Sequence, residues 1–169
     1  LRGRTALITG ANSGLGYEAM RVLAMRGAHV LCAARTLEKA AAACAGIQGR
    51  TTPVAIELTD FPSIVVGTDA VRAMGMPIDM LILNAGIMAL PELEQVNGLE
   101  KQFVTNHLGH FIVGNRLLPQ VQAAAQGRVV LLTSSGYQWA PHAGIEFDNL
   151  SRERDHKTNK MYGQSKLAN

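Results

Sequence analysis

The chain has little that a metal scaffold or a charged-polymer binder needs. Only Cys32 and Cys44 supply thiols in 169 residues. They form no CxxC pair, and no histidine stands at zinc-ligand spacing from both. Each reads as a small buried apolar residue. His107 and His110 are three apart on a helical stretch, but no third or fourth ligand follows, so no metal is expected. Charged residues make up 17% and hydrophobic residues 47%, which fits a globular rather than a disordered chain. The net charge of +3 is too small to argue for a nucleic acid or a membrane partner. Arg152, Arg154, Lys157 and Lys160 do gather, but Glu153 and Asp155 lie among them, as in a solvated loop or helix start. There is no signal peptide, no apolar run approaching about eighteen residues, no internal repeat and no low-complexity linker. A soluble, cytoplasmic protein of one domain's length is the expectation.

What is present is organised around Thr9-Gly10-Ala11-Asn12-Ser13-Gly14-Leu15-Gly16. An apolar run, Ala6-Leu7-Ile8, precedes it. A helical pattern with Leu15, Ala19, Val22, Leu23 and Met25 follows. Strand, glycine turn and helix in that order are what a nucleotide diphosphate needs. Glycines let the backbone approach the phosphates, and the helix start offers unpaired N–H groups with partial positive charge. The tight turn falls to Gly10, the approach of the pyrophosphate to Gly14, and helix-on-strand packing to Gly16.

Strands and helices then alternate. Strands are expected at Thr5–Thr9, Ala28–Ala33, Val54–Leu58, Asp79–Leu83 and Arg128–Thr133. Helices are expected at Leu15–Arg26, Leu37–Ala45, Phe61–Met74 and Leu99–Leu118, and a last one starts near Met161. Pro91–Gly98 reads as an acidic turn and Pro141–Lys160 as irregular. This pattern predicts an α/β fold with a doubly wound parallel sheet, a single dinucleotide-binding (Rossmann) domain over 1–169. Ligand would lie outside the C-terminal strand ends, where Gly10, Arg35, Asn84 and Ser135 fall.

Two clusters carry chemistry. At the end of the second strand, where an acidic residue would bind the ribose 2′-hydroxyl of NAD, the chain has Ala34-Arg35. A guanidinium suits a 2′-phosphate, so NADP is expected over NAD. Tyr162-Gly163-Gln164-Ser165-Lys166 places a phenol and an ammonium four apart on one helix face. The ammonium favours the phenolate, and the phenol then exchanges a proton with a carbonyl or alcohol oxygen. Ser134-Ser135 offers a hydroxyl donor; no Ser-His-Asp set and no G-x-S-x-G elbow occurs.

Taken together, Thr9-Gly10-x-x-x-Gly14-x-Gly16, Asn84-Ala85-Gly86, Asn106, Ser135 and Tyr162-x-x-x-Lys166 resemble the short-chain dehydrogenase/reductase family, in that family's order and over the whole chain. Thr105-Asn106-His107-Leu108-Gly109-His110-Phe111 and Ser165-Lys166-Leu167-Ala168-Asn169 are similar to the retinol dehydrogenase-like branch. The resemblance implies a catalytic set of Tyr162 as acid–base, Lys166 as ribose holder, Ser135 as carbonyl donor and Asn106 in a water-mediated proton path. It implies cofactor contacts from Gly10, Asn12, Ser13, Gly14, Leu15, Gly16, Arg35, Glu57, Leu58, Asn84, Ala85 and Gly86, together with Tyr162 and Lys166.

The chain departs from the pattern in three places. Glu57 stands where the family usually has the Asp that holds the adenine amino group. Leu83 replaces the first Asn of Asn-Asn-Ala-Gly. The chain also starts at Leu1 and stops soon after the Tyr162 helix begins, where members of the family continue with two more strands and a substrate cover. The fifth strand is then expected to be an apolar edge. Either the natural protein is longer, or this chain is inactive and prone to aggregate. The first reading is an NADP-dependent enzyme interconverting an alcohol and a carbonyl by hydride transfer on a small-molecule substrate. The oligomeric state stays open; the resemblance alone implies the Leu99–Leu118 helix as the face of a homo-oligomer in the full-length protein. An inactive nucleotide-binding fragment and a carbon–carbon double-bond reductase are the alternatives. The walls Ile87–Leu90 and Gly136–Pro141, with Trp139, favour an apolar alcohol or ketone.

Overall fold

The computed structural model describes residues 1–155 and 157–169. Five parallel strands form the central sheet: β1 (Thr5–Thr9), β2 (His29–Ala34), β3 (Arg50–Ala55), β4 (Met80–Leu83) and β7 (Arg128–Leu131). Their order is β3-β2-β1-β4-β7. The crossovers carry α1 (Gly14–Met25), α2 (Leu37–Ala45), α3 (Phe61–Ala73) and α5 (Gly109–Gln122). Thr5–Thr9 pairs residue for residue with His29–Ala33 on one side, and Ala6–Ile8 with Met80–Ile82 on the other. The order of strands reverses between β1 and β4, so the crevice for a ligand opens there.

Alternation along each strand feeds two cores, one on each face. Leu7, Leu31 and Leu81 point to one face and pack with Ile64 of α3 and Val113 and Leu117 of α5. Ala6, Ile8, Val30 and Cys32 point to the other and pack with Met20 of α1 and Ala40 of α2. Cys32 is buried and Cys44, partly buried, packs against the same cluster. Both are apolar filling, as expected.

Most elements match the sequence-based expectation to within two residues, and the larger differences lie in the third strand, the long helix and the last helix. The third strand is Arg50–Ala55, not Val54–Leu58. As an edge strand it tolerates polar Arg50-Thr51-Thr52 and the N–H-less Pro53, so the apolar run alone misplaces it. Ile56 N still donates to Ala34 O at 2.8 Å, after which Glu57–Thr59 turn away over the strand ends. The helix expected from Leu99 instead begins after a small hairpin, β5 (Gln95–Val96) with β6 (Leu99–Glu100). The buried Glu100 carboxylate accepts from Gln102 N and Phe103 N and starts α4 (Lys101–Phe103). A π-helical segment, Val104–Leu108, joins α4 to α5, and α5 carries on through Pro119 to Gln122. The last helix, α6 (Thr158–Leu167), begins three residues before Met161.

β7 is the outer strand beside β4, and Val129, Val130 and Leu131 are 38–49% exposed. The expected apolar edge is therefore there. No helix among the described residues is long and apolar enough to cross a membrane.

Candidate active site

β1 ends at Thr9, and the chain must reverse at once into α1. Gly10 and Gly14 adopt φ of +65° and +55°, left-handed values that a side chain disfavours. Gly16 has ordinary dihedrals but no room: a Cβ there would lie 2.4 Å from Gly10 O and 2.6 Å from Asn84 Nδ2. The helix start thus rests directly on the turn and on the end of β4. Ser13 is the N-cap residue of α1, yet its side chain makes no capping bond. The first N–H groups of α1 stay open towards the crevice, where an anion would meet them.

A cavity of about 600 Å³ fills that crevice. Gly10, Asn12, Ser13, Leu15 and Gly16 line one part of it, and Arg35, Glu57 and Leu58 another. Asn84, Ala85 and Gly86 line the floor, and Tyr162 and Lys166 the far end. Thirteen of the sequence-derived cofactor positions therefore converge on one space. Gly14 sits in the turn itself and is not part of the wall. Arg35 follows β2 directly, is exposed, and makes no ion pair among the described residues. Thr36 Oγ1 caps α2 by accepting from Lys39 N at 3.3 Å. Glu57 Oε1 is already engaged by Thr59 N at 3.1 Å and Thr59 Oγ1 at 2.9 Å, so that carboxylate folds back on its own turn.

At the far end, α6 is clamped to the end of β7. Thr133 Oγ1 donates to Lys166 O at 2.8 Å, and Lys166 Nζ donates to Leu132 O at 2.8 Å. Nζ also stands 5.8 Å from the Tyr162 ring centroid. Burial lowers the Lys166 pKa from the ordinary lysine value. The Tyr162 ring packs against Trp139, with centroids 6.1 Å apart. A Cβ at Gly136 would meet Tyr162 Cε1 at 2.8 Å, so the turn after β7 lies flat on the phenol ring.

The two serines separate cleanly. Ser134 Oγ accepts from Gly136 N at 3.1 Å and caps a short 3₁₀ turn, Ser135–Trp139. Ser135 makes no side-chain hydrogen bond among the described residues and adjoins the glycine that touches Tyr162. It does not line the cavity as found. Nor does Asn106, which lies fully buried in the π segment. Asn106 Nδ2 donates to Ile87 O and to Ser165 Oγ, both at 2.9 Å, and its Oδ1 accepts from Ile87 N at 2.9 Å. Its side chain braces the β4 turn against α6 one layer behind the wall.

Several supporting residues escaped sequence reasoning. Gln102 accepts from Ala89 N at 2.9 Å and donates to Thr158 O at 3.2 Å, so it ties the Ile87–Leu90 wall to the first turn of α6. Thr9 and His110 form a buried bond at 2.9 Å. His110 was legible only as a helical partner of His107; its true relation is to Asn106, four residues earlier, whose carbonyl lies 3.1 Å from Nδ1. His107 turns elsewhere, to Asn169 Oδ1 at 3.1 Å.

A parallel sheet of this order, with a glycine turn at its reversal point and a Tyr–Lys helix facing it, defines the dinucleotide-binding oxidoreductases of the doubly wound class. Residues 4–143 match the family model for short chain dehydrogenases, and the chain belongs to that family. It is 39% identical over 175 residues to short-chain dehydrogenase TIC 32 B, chloroplastic, of Brassica napus, covering 98% of this chain and 55% of the relative. It is 37% identical over 172 residues to retinol dehydrogenase 13 of Homo sapiens, covering 98% and 51%. A crystal structure of an uncharacterised Mycobacterium paratuberculosis protein superposes with a TM-score of 0.83 at 37% identity, covering 98% of this chain and 58% of that one. Another, described as an NAD(P)-dependent gluconate 5-dehydrogenase of Beutenbergia cavernae with NADP bound at low occupancy, has a TM-score of 0.71 at 26% identity, covering 99% and 63%. The chain spans about half the length of the curated relatives it matches.

Proposed function

We propose that the chain carries the cofactor site and the acid–base pair of an NADP-dependent oxidoreductase that interconverts an alcohol and a carbonyl. The observation that carries this reading is the single cavity on which the glycine turn, Arg35 and the Tyr162–Lys166 pair converge. The open N–H groups at the start of α1 would hold the pyrophosphate, and Arg35, with no internal ion-pair partner among the described residues, the 2′-phosphate. Asn84 would lie near the adenosine ribose, and Gly86 adjoins the other end, where a Cβ on it would stand 3.7 Å from Lys166 Nζ. When bound, NADP supplies or accepts the hydride.

The chain's own residues handle the proton. Tyr162 Oη gives a proton to the carbonyl oxygen in reduction and takes it from the hydroxyl in oxidation. Lys166 Nζ stands 5.8 Å from the ring centroid, at the end of the cavity where it would hold the nicotinamide ribose. Ser135 Oγ, free of internal bonds among the described residues, is the hydroxyl available to orient the substrate oxygen, whereas Ser134 is occupied by its capping bond. Asn106 acts from behind, holding Ser165 and thereby the helix that carries both groups. Apolar Ile87, Met88 and Leu90 form the neighbouring wall, and relatives named retinol dehydrogenases match over the whole chain. Both support an apolar alcohol or aldehyde as substrate.

The test is NADPH oxidation with a panel of apolar aldehydes, run on the protein and on Tyr162→Phe. Turnover that vanishes in the variant while NADPH still binds supports the assignment. Undiminished turnover in the variant removes Tyr162 from its role.

A further inference from the structure

His110 does not itself line the cavity, yet it bonds Thr9 of the wall and stands between the two halves of the site. Thr9 Oγ1 accepts from Asn84 N at 2.9 Å and from Ala85 N at 3.1 Å. Those two donors use both lone pairs of the hydroxyl. Its one proton must then be given away, and the group 2.9 Å distant is His110 Nε2. Nε2 therefore accepts. The ring proton resides on Nδ1, where it faces Asn106 O at 3.1 Å. An imidazolium would aim an N–H at a hydroxyl with no lone pair left. The lone-pair count thus assigns one tautomer. Thr9, Asn106 and His110 are all buried. Burial also holds the His110 pKa down, at about 4.

The bonds run in one direction. Asn84 and Ala85 N–H groups donate to Thr9, Thr9 to His110, and His110 to the carbonyl of Asn106. Asn106 in turn donates to Ser165, the residue before Lys166. We propose that His110 is a positioning residue: a neutral imidazole, protonated at Nδ1, that fixes Asn106 and α6, the nicotinamide end of the site, to Thr9 and the Asn84–Gly86 turn. This rests on reading the cavity as a dinucleotide site. It assigns His110 no contact with cofactor or substrate.

Two measurements separate this inference from that reading. The first needs no cofactor. Long-range ¹H–¹⁵N correlation on the ligand-free protein at neutral pH reports the His110 tautomer; the Nδ1-protonated neutral ring is expected, and an Nε2-protonated ring or an imidazolium overturns the proposal. The second compares NADPH with adenosine 2′,5′-bisphosphate, which carries the adenosine end alone. His110→Phe keeps a ring in the core but loses both bonds. It is expected to weaken NADPH about tenfold or more while the bisphosphate stays within about threefold. His110→Asn retains a donor for Asn106 O and should recover part of the NADPH loss; it also serves should the Phe variant fail to fold. Equal losses for both ligands, or no loss for either, overturn the positioning role. Wild-type protein that binds neither ligand instead defeats the dinucleotide reading, while the tautomer still tests the bond chain by itself.

Discussion

β2 and β7 are strands of the same parallel ladder, and they are held in opposite ways. Every residue of β2 is buried, with α1 and α2 packed on one face and the larger core on the other. Every residue of β7 is exposed. The nucleotide half of the molecule is fixed by apolar burial. The Tyr162–Lys166 helix is held by a few polar bonds, Thr133 to Lys166 O and Lys166 to Leu132 O on the β7 side and Asn106 to Ser165 from the π segment, beside the packing of buried Met161 and of the Tyr162 ring on Trp139. The two halves of one site thus answer to different forces. Core truncation should damage the first, and loss of a single hydrogen-bonding group the second.

Substitutions can probe either half. On the chemical side, Tyr162→Phe is expected to lower turnover by roughly 10²–10⁴-fold with NADPH affinity little changed, because proton transfer in the transition state is what is lost. Steady-state kinetics beside a fluorescence titration checks this. On the packing side, Leu31→Ala opens the core between β2 and α3 and should cost about 2–5 kcal/mol in denaturant unfolding. Val130→Ala, on the exposed strand, should cost only about 0.5 kcal/mol. Equal costs for the two would remove the distinction between the strands.

Acid acts on the buried half through His110. Its folded pKa of about 4 lies below the ordinary histidine value of 6.5, so the folded state binds fewer protons between those values. The stability this group contributes is therefore complete above about pH 6.5 and is lost progressively as the pH falls towards 4, a total of roughly 3 kcal/mol. In His110→Phe that part of the pH dependence should disappear, as unfolding measured from pH 7 to 4 would reveal. Cofactor choice should respond less than turnover does. Arg35→Asp should shift the NADPH-to-NADH affinity ratio by about tenfold towards NADH, the worth of one charge-assisted contact.

Much of this was legible in the sequence, for identifiable reasons. The buried strands announce themselves as apolar runs, and Gly10, Gly14 and Gly16 mark a turn where two positive φ values and one close approach favour glycine. β3 was displaced because an edge strand carries Arg50, Thr51, Thr52 and Pro53, which periodicity reads as loop. The π segment at Asn106 was hidden because it is a shift in backbone bonding that leaves the apolar pattern intact. The Thr9–His110 bond joins positions 101 apart, which no local spacing shows. Only the Asn106-to-His110 interval of four gave a trace of it, and the nearer His107 drew attention away. Glu57 is the opposite case. The sequence marked it as an unusual residue, and in the structure its carboxylate accepts from Thr59.

Whether this half-length chain holds a dinucleotide is decided by titrating it with NADPH and with NADH, followed by cofactor fluorescence. Saturable binding with a clear preference for NADPH is expected, since the glycine turn and Arg35 belong to the half that apolar burial holds. A folded protein that binds neither would contradict the assignment of the cavity, and one that binds NADH as tightly would contradict the role given to Arg35.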